Sequence, residues 1–327
     1  MSQTVAPGAG GGGGPGGRPP GTPGSPGSLG DTVSPETVLA GGVAEPVGSP
    51  LRLAAETFAQ NKLAMAGVVV ILLMAGFSFL GPLFYHTNQI VTNLPESLKP
   101  PGLAHPLGTD NEGYDELGRL MLGGQTSLEV GLAAALVATA IGVGYGALSG
   151  FAGGIVDGVM MRAVDALLAI PTLFLLVFLF TVFRANVLLL VLVIGLVAWL
   201  VPSRLVRAET LSLRSREYVE AVRVLGGNRR RMILRHIIPN TIGTIMVNAS
   251  FQVADAILAL ASLSFLGLGI APPAANWGQM LSTGVQYVYA GDWWLIYPPG
   301  IAIVLTVMAF NAVGDSLRDS FDSRLRS

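Results

Sequence analysis

Apolar positions along the chain gather into long runs separated by polar segments. A bilayer core takes about 20 apolar residues per helix. Leu63 to Phe84 is the first run, without a charged residue, and Val130 to Val156 is the second, rich in Ala and Gly. Ala163 to Phe183 is the third, interrupted only by Asp165, and Ala185 to Val201 is the fourth, reading ANVLLLVLVIGLVAWLV. Ile238 to Leu268 is a weaker fifth run that carries Asp255 and several polar residues. Trp293 to Gly314 is the sixth. The pattern predicts an all-α, polytopic membrane protein with six transmembrane helices. The link at Phe183–Asn186 is short enough for a tight external turn.

Residues 1–50 follow another pattern. GAGGGGGPGGRPPGTPGSPGSLG is Gly, Pro and Ser with almost no apolar content. Such a segment cannot bury enough surface to offset ordering entropy, so it is expected to be a disordered cytosolic tail. It also lacks the apolar stretch of a signal peptide.

Composition narrows the function. The chain of 327 residues is 51% hydrophobic and 12% charged, where soluble domains carry roughly 25% charge. A net charge of -1 provides no basic field for nucleic acid. The absence of cysteine excludes disulfides, thiol catalysis, thiolate metal sites and Fe–S clusters. His86, His105 and His236 lie far apart, and no pair has helical metal-ligand spacing.

Charge asymmetry orients the spans. Pro202 to Pro239 holds nine arginines (204, 207, 214, 216, 223, 229, 230, 231 and 235) against Glu209, Glu217 and Glu220. His86 to Thr126 holds Lys99 and Arg119 against five acids, Glu96, Asp110, Glu112, Asp115 and Glu116. The Arg-rich segment is therefore expected in the cytoplasm and the acidic one outside, with both termini inside. Trp293, Trp294 and Tyr297 then sit at the outer start of the sixth span, where amphipathic rings are favoured.

Within the Arg-rich segment, REYVEAVRVLGGNRRRMILRHIIPN reads as two short helices around Gly226–Gly227. Ser215 is placed to cap the first, with Glu217 near its positive dipole end. Glu217, Ala221 and Val224 or Leu225 share one face by the i, i+4 spacing. Glycine takes the left-handed conformation freely, which stops the helix, and Asn228 is placed to cap the next one. A small apolar and acidic face flanked by arginines suits a groove on a soluble partner. The plainer alternative, arginines that only set topology and bind anionic lipid, leaves Glu220, Ala221 and the glycine pair unexplained.

Two acids, Asp165 and Asp255, fall inside predicted spans. An ionised acid at a helix centre costs on the order of 3 kcal/mol on insertion scales, so such groups face protein or water. They are candidate path or gating residues, set against simple structural hydrogen bonds. Asp165, three residues past Arg162, is also placed to pair with it near the inner boundary. Pro171, Pro202 and Pro239 are expected to kink or end helices. The Gly/Ala face GLAAALVATAIGVGYGALSG suits close helix packing better than substrate contact.

At this point the chain resembles a family. Glu220, Ala221, Gly226 and Pro239 match the EAA loop of ATP-binding-cassette (ABC) importer permeases; Val222 replaces the usual Ala, His236 an Ile, and Ile238 a Leu. LRHIIPN, NKLAMAGVVVILLM, HPLGTDNEGYDELGRLMLGGQTSLEVGL, SLSFLGLGIAPPAANWGQML and AIVLTVMAFNAVGDSLRDSFDSRLR resemble the peptide-type branch, which transports dipeptides, oligopeptides or nickel chelates. The likeness covers about residues 52–326. Leu260 stands where an acid is common, a departure that bears on local gating contacts.

The resemblance implies residues 51–125 as first helix and external segment, and 126–327 as a permease domain with its coupling loop at about 202–239. It implies a multi-pass permease in the cytoplasmic membrane of a prokaryote, paired with a sister permease and supplied by an extracytoplasmic substrate-binding protein. Two cytosolic ATPases would dock on the EAA loop, where Glu217, Glu220, Ala221, Val222, Leu225, Gly226, Gly227 and Pro239 form the coupling element. The chain has no GxxxxGK[ST] phosphate loop, so ATP and Mg belong to those partners. This chain is then no enzyme and needs no cofactor or metal of its own. A proton-coupled secondary transporter is the rival; it would show inverted repeats and broken helices, and no internal repeat is evident. A membrane scaffold would have no use for the glycine elbow.

Overall fold

The computed structural model describes residues 50–183 and 186–322. The Gly/Pro-rich tail and the centre of the Phe183–Asn186 turn lie outside the described residues. The described chain is helical, with no strand beyond an isolated bridge between Thr109 and Asp115.

Helix α1 (Pro50–Gln60) is followed by α2 (Lys62–Phe84), which Asn61 starts by accepting the Leu63 N–H at 2.9 Å. After the polar segment 85–115 comes α3 (Glu116–Ala152), the central element, against which α2 and several later helices pack. It begins well before the apolar run because Asp115 caps it, Oδ1 accepting the Gly118 N–H at 2.8 Å. Helix α3 ends at Ala152, capped by Gly153, so Val156 belongs to α4 (Gly154–Leu168). Then follow α5 (Thr172–Val182), α6 (Val187–Ala198) and α7 (Leu200–Leu213). Two short helices, α8 (Glu217–Val224) and α9 (Arg229–Met232), lead into α10 (Ile242–Phe265), α11 (Trp277–Val285) and α12 (Tyr297–Asp322).

Among the described residues, four segments are long and apolar enough to cross a membrane: Lys62–Phe84, Glu116–Ala152, Arg229–Phe265 and Trp293–Phe321. The third and fourth sequence runs are broken instead. Helices α4 and α5 bend by 78°, and α6 and α7 by 44°; counting each pair as one span gives six. Proline causes both breaks. Pro171 precedes α5, lacks an N–H, and disfavours the helical region for Ile170. Pro202 leaves the Ala198 carbonyl without its helical donor. Gln252 on α10 fills that gap, donating from Nε2 to the Ala198 oxygen at 2.9 Å. The same device recurs at Pro82 inside α2, where Gln125 Nε2 donates to the freed Ser78 carbonyl at 2.8 Å.

The Gly-rich face of α3 packs as expected. Gly142, Gly146 and Gly150 lie one turn apart against α7; a Cβ on Gly146 would stand 2.3 Å from the Ser203 oxygen. Small residues at this spacing let two helix backbones meet. On another face, Val130 and Ala134 join Leu176, Phe180, Ile194 and Leu260 in an apolar core. Leu260 is thus a core residue, only 1% exposed.

The acidic segment between α2 and α3 is a packed cap rather than a loose loop. Asp115 Oδ2 accepts the Tyr85 hydroxyl at 2.9 Å and faces His105 Nδ1 at 2.8 Å. Burial, then the bond to Asp115, pushes the Tyr85 phenol up to about 12, so it remains a donor. Arg119 pairs with Asp110 at 3.4 Å, lies 4.4 Å from the Tyr114 ring centre and donates to the Pro273 carbonyl.

Candidate functional site

Helix α8 stands on one residue. Val219 is fully buried among Phe151, Val206, Met232, Ile233 and Ile237, where α3, α7 and the entry to α10 converge. At 100° per residue the opposite face carries Glu217, Ala221 and Val224, flanked by Glu220 and Leu225. All five are exposed, Val224 by 82% and Leu225 by 86%. This exposed aliphatic pair lies outside the segments long and apolar enough to cross a membrane. Val222 is half-buried on the anchored side.

The helix does not start as expected. Ser215 makes no cap; its hydroxyl donates back to the Ser212 carbonyl at 2.9 Å, because it still belongs to the turn leaving α7. Arg216, in extended conformation, precedes the first helical residue and offers no side-chain acceptor. The other end matches the expectation closely. Gly226 has φ +78°, and its N–H bonds the Arg223 carbonyl while the Gly227 N–H bonds that of Val222 at 2.9 Å. These paired bonds around a left-handed residue form a Schellman stop. The two glycines are needed for different reasons. A Cβ at Gly226 would meet nothing within 4 Å, so its requirement is conformational; at Gly227 a Cβ would lie 2.6 Å from Val222 Cγ1. Asn228 Oδ1 then accepts the Arg230 N–H at 3.1 Å and caps α9. Pro239 follows the π-helical turn Ile233–Ile237 and lies in the tight Ile238–Thr241 turn, so it does not end the segment Arg229–Phe265.

Two ion pairs tie this region to the bent spans. Asp157 on α4 receives Arg207 of α7 on both oxygens, at 2.5 and 2.6 Å, and the Ser149 hydroxyl of α3 at 2.5 Å. Asp165 pairs with Arg204 of α7, not with Arg162, and its side chain is 57% exposed. Helix α4 turns Asp165 toward α7, so its nearest cation is 39 residues away in sequence rather than three.

Asp255 has a different setting. With Asn248 and Gln252 it forms an i, i+4, i+7 polar stripe on α10, lining a groove of about 300 Å³ together with Thr172, Leu176 and Val197. The structure therefore separates the two acids: Asp255 lines the groove, while Asp165 is engaged at the α4–α7 contact. Asn248 and Gln252 were missed from sequence, although their spacing with Asp255 in the weakest apolar run was the available signal. The Gln252 bond gives a direct check. Gln252→Leu should leave the Ala198 carbonyl unpaired and lower the stability of the detergent-solubilised chain by about 1–3 kcal/mol, read by thermal unfolding. An unchanged transition would show that the bend needs no such partner.

Comparison with known proteins bears on most of the chain. Residues 142–327 match the family described as binding-protein-dependent transport system inner membrane component, and residues 49–101 match the N-terminal TM domain of oligopeptide transport permease C. The chain is 39% identical to the oligopeptide transport system permease protein OppC of Bacillus subtilis, over 82% of this chain and 88% of the relative. It is 40% identical to OppC of Haemophilus influenzae, over 82% and 87%. It is 37% identical to the dipeptide transport system permease protein DppC of Bacillus subtilis, over 82% and 83%. A multi-pass helical chain whose match covers more than half its length belongs to the family of binding-protein-dependent transport system inner membrane components.

Proposed function

We propose that this chain is the permease subunit of an ATP-driven importer of peptides or similar small solutes. The observation that carries the reading is the free face of α8, held out by a single buried anchor and terminated at Gly226. Glu217, Glu220, Ala221 and Leu225 then meet a cytosolic ATPase, while Val222, Gly227 and Pro239 shape and seat the element. ATP and Mg are bound by two such partners; a sister permease completes the path, and an extracytoplasmic binding protein delivers cargo.

The physical logic is lever-like. Val219 inserts α8 where α3, α7 and α10 converge, so a push on α8 reaches three spans at once. The Asp157–Arg207 and Asp165–Arg204 pairs pass the displacement to α4, beyond which Pro171 provides a break. Asp255, Asn248 and Gln252 line the groove between α5, α6 and α10, which serves as this subunit's half of the path. Broken helices are also what a proton-coupled carrier would have; family membership and the free face of α8 favour the ATP-driven reading.

The arginine bias assigns α8 to the cytoplasm and the external cap to the other side of a prokaryotic cytoplasmic membrane, with both termini inside. The cysteine-free sequence makes the test simple. Gly113 is a poor tagging point, since a Cβ there would lie 1.9 Å from the Asn93 oxygen, whereas Leu103 is fully exposed. Leu103→Cys should react with a membrane-impermeant maleimide in intact cells, and Arg231→Cys only after permeabilisation. The reverse labelling would overturn the orientation and the docking model together.

A further inference from the structure

A second concavity lies beside α8, between the end of α3 and the entry to α10. Side chains of α3 between Gly144 and Ala152 form one wall and some of those between Arg229 and Ile238, Arg231 and Arg235 not among them, form the other, around about 540 Å³. The trough is apolar, built from Ala147, Leu148, Phe151, Ile233, Leu234 and Ile238. Leu148 and Leu234 are 57% and 54% exposed. The only charged lining residues are Arg229 and Arg230, both exposed. Among the described residues neither arginine has a carboxylate partner, in contrast to Arg204 and Arg207.

The polarity has a direction. Arg229 and Arg230 lie where α3 ends at Ala152, and the opposite end of the trough is Gly144 and Ile238. From Gly144 to Ala152 an α-helix rises about 12 Å, close to the roughly 15 Å depth of one hydrocarbon leaflet. A cationic mouth at the membrane boundary above an apolar slot of leaflet depth matches one amphiphile: a phosphate headgroup attached to an acyl chain. Basic residues at such a boundary attract anionic lipid.

We propose that this groove binds an anionic phospholipid of the leaflet facing α8, with its phosphate on Arg229 and Arg230 and an acyl chain along Leu148 and Leu234. The leaflet assignment rests on the orientation above. Phe151 and Ile233 belong both to the groove and to the cluster around Val219. The bound lipid therefore braces the anchor of α8, and anionic lipid is a structural ligand of the coupling region.

The test uses the assembled transporter in phosphatidylcholine nanodiscs doped with one photoreactive-chain lipid at a time, phosphatidylglycerol or phosphatidylcholine. The phosphatidylglycerol probe should label the peptides containing Leu148 and Leu234 about tenfold more than the phosphatidylcholine probe, on the scale of basic-residue attraction to anionic lipid. R229Q/R230Q should remove that excess, while R231Q/R235Q, an equal loss of charge outside the groove, should keep it. Equal labelling by both probes overturns the proposal in the unmutated complex alone. So does an excess that survives R229Q/R230Q, or a cross-link from a photoreactive residue at position 148 to the sister permease. Labelling is read without ATP, so a complex that labels as expected yet shows no cargo-stimulated hydrolysis would defeat the coupling reading and leave this one standing.

Discussion

Gly226→Val is expected to give a folded, inserted permease whose partner ATPases no longer respond to cargo. Gly226 sits at φ +78°, a conformation that costs an L-residue roughly 1–2 kcal/mol and a β-branched one more. A side chain there meets open space, so the variant has no clash to unfold it, and the site lies outside the apolar spans. The damage is local: the Gly226 and Gly227 amides lose their bonds to Arg223 and Val222, and the end of α8 unwinds. Val224 and Leu225, at the tip of the free face, then lose their fixed place. ATP hydrolysis by the purified complex, with and without loaded binding protein, reads the effect. Stimulation should vanish in Gly226→Val and persist in Arg231→Gln. Normal stimulation in Gly226→Val would remove α8 from the coupling role.

Gly146→Val should act in the opposite way, on the fold itself. The new Cβ would lie 2.3 Å from the Ser203 carbonyl oxygen and 3.0 Å from the Arg207 nitrogen. Both are backbone atoms of α7, so no rotamer change relieves the contact. Separating the helices also disturbs Gly142 against Pro202, Gly150 against Thr210, and the Arg207–Asp157 pair. The expected loss is about 3 kcal/mol or more, the upper end for overpacking, read as a lowered unfolding midpoint and reduced yield in detergent. Gly144→Val is the control, since nothing lies within 4 Å of a Cβ at that position on the same helix. Equal stability of the two variants would show that α3 and α7 do not depend on close approach.

The number and order of the apolar runs were legible in the sequence because a membrane helix must satisfy its own backbone, so length and apolarity suffice to reveal it. The stop at Gly226–Gly227 and the Asn228 cap were legible for a related reason: each depends on neighbours within a few residues. The expected Ser215 cap failed because the register of α8 is set by Val219 finding its pocket, not by the nearest hydroxyl.

What the sequence alone determined is therefore local: where helices run, where they stop, and which side of the chain carries the arginines. Tertiary structure decided which helices touch. Asp165 meets Arg204 and not Arg162, Asp157 meets Arg207 across 50 residues, and Gln252 completes the backbone at Ala198 across 54. Asp255 gains its groove only when α10 lies beside α5 and α6. These pairings follow from close packing at glycines and from carbonyls freed by proline, and neither names its partner in a linear reading. The physical reason is that a span's length and a cap's hydrogen bonds are fixed within the segment, whereas a helix neighbour is chosen by shape and unpaired polar groups across the whole bundle.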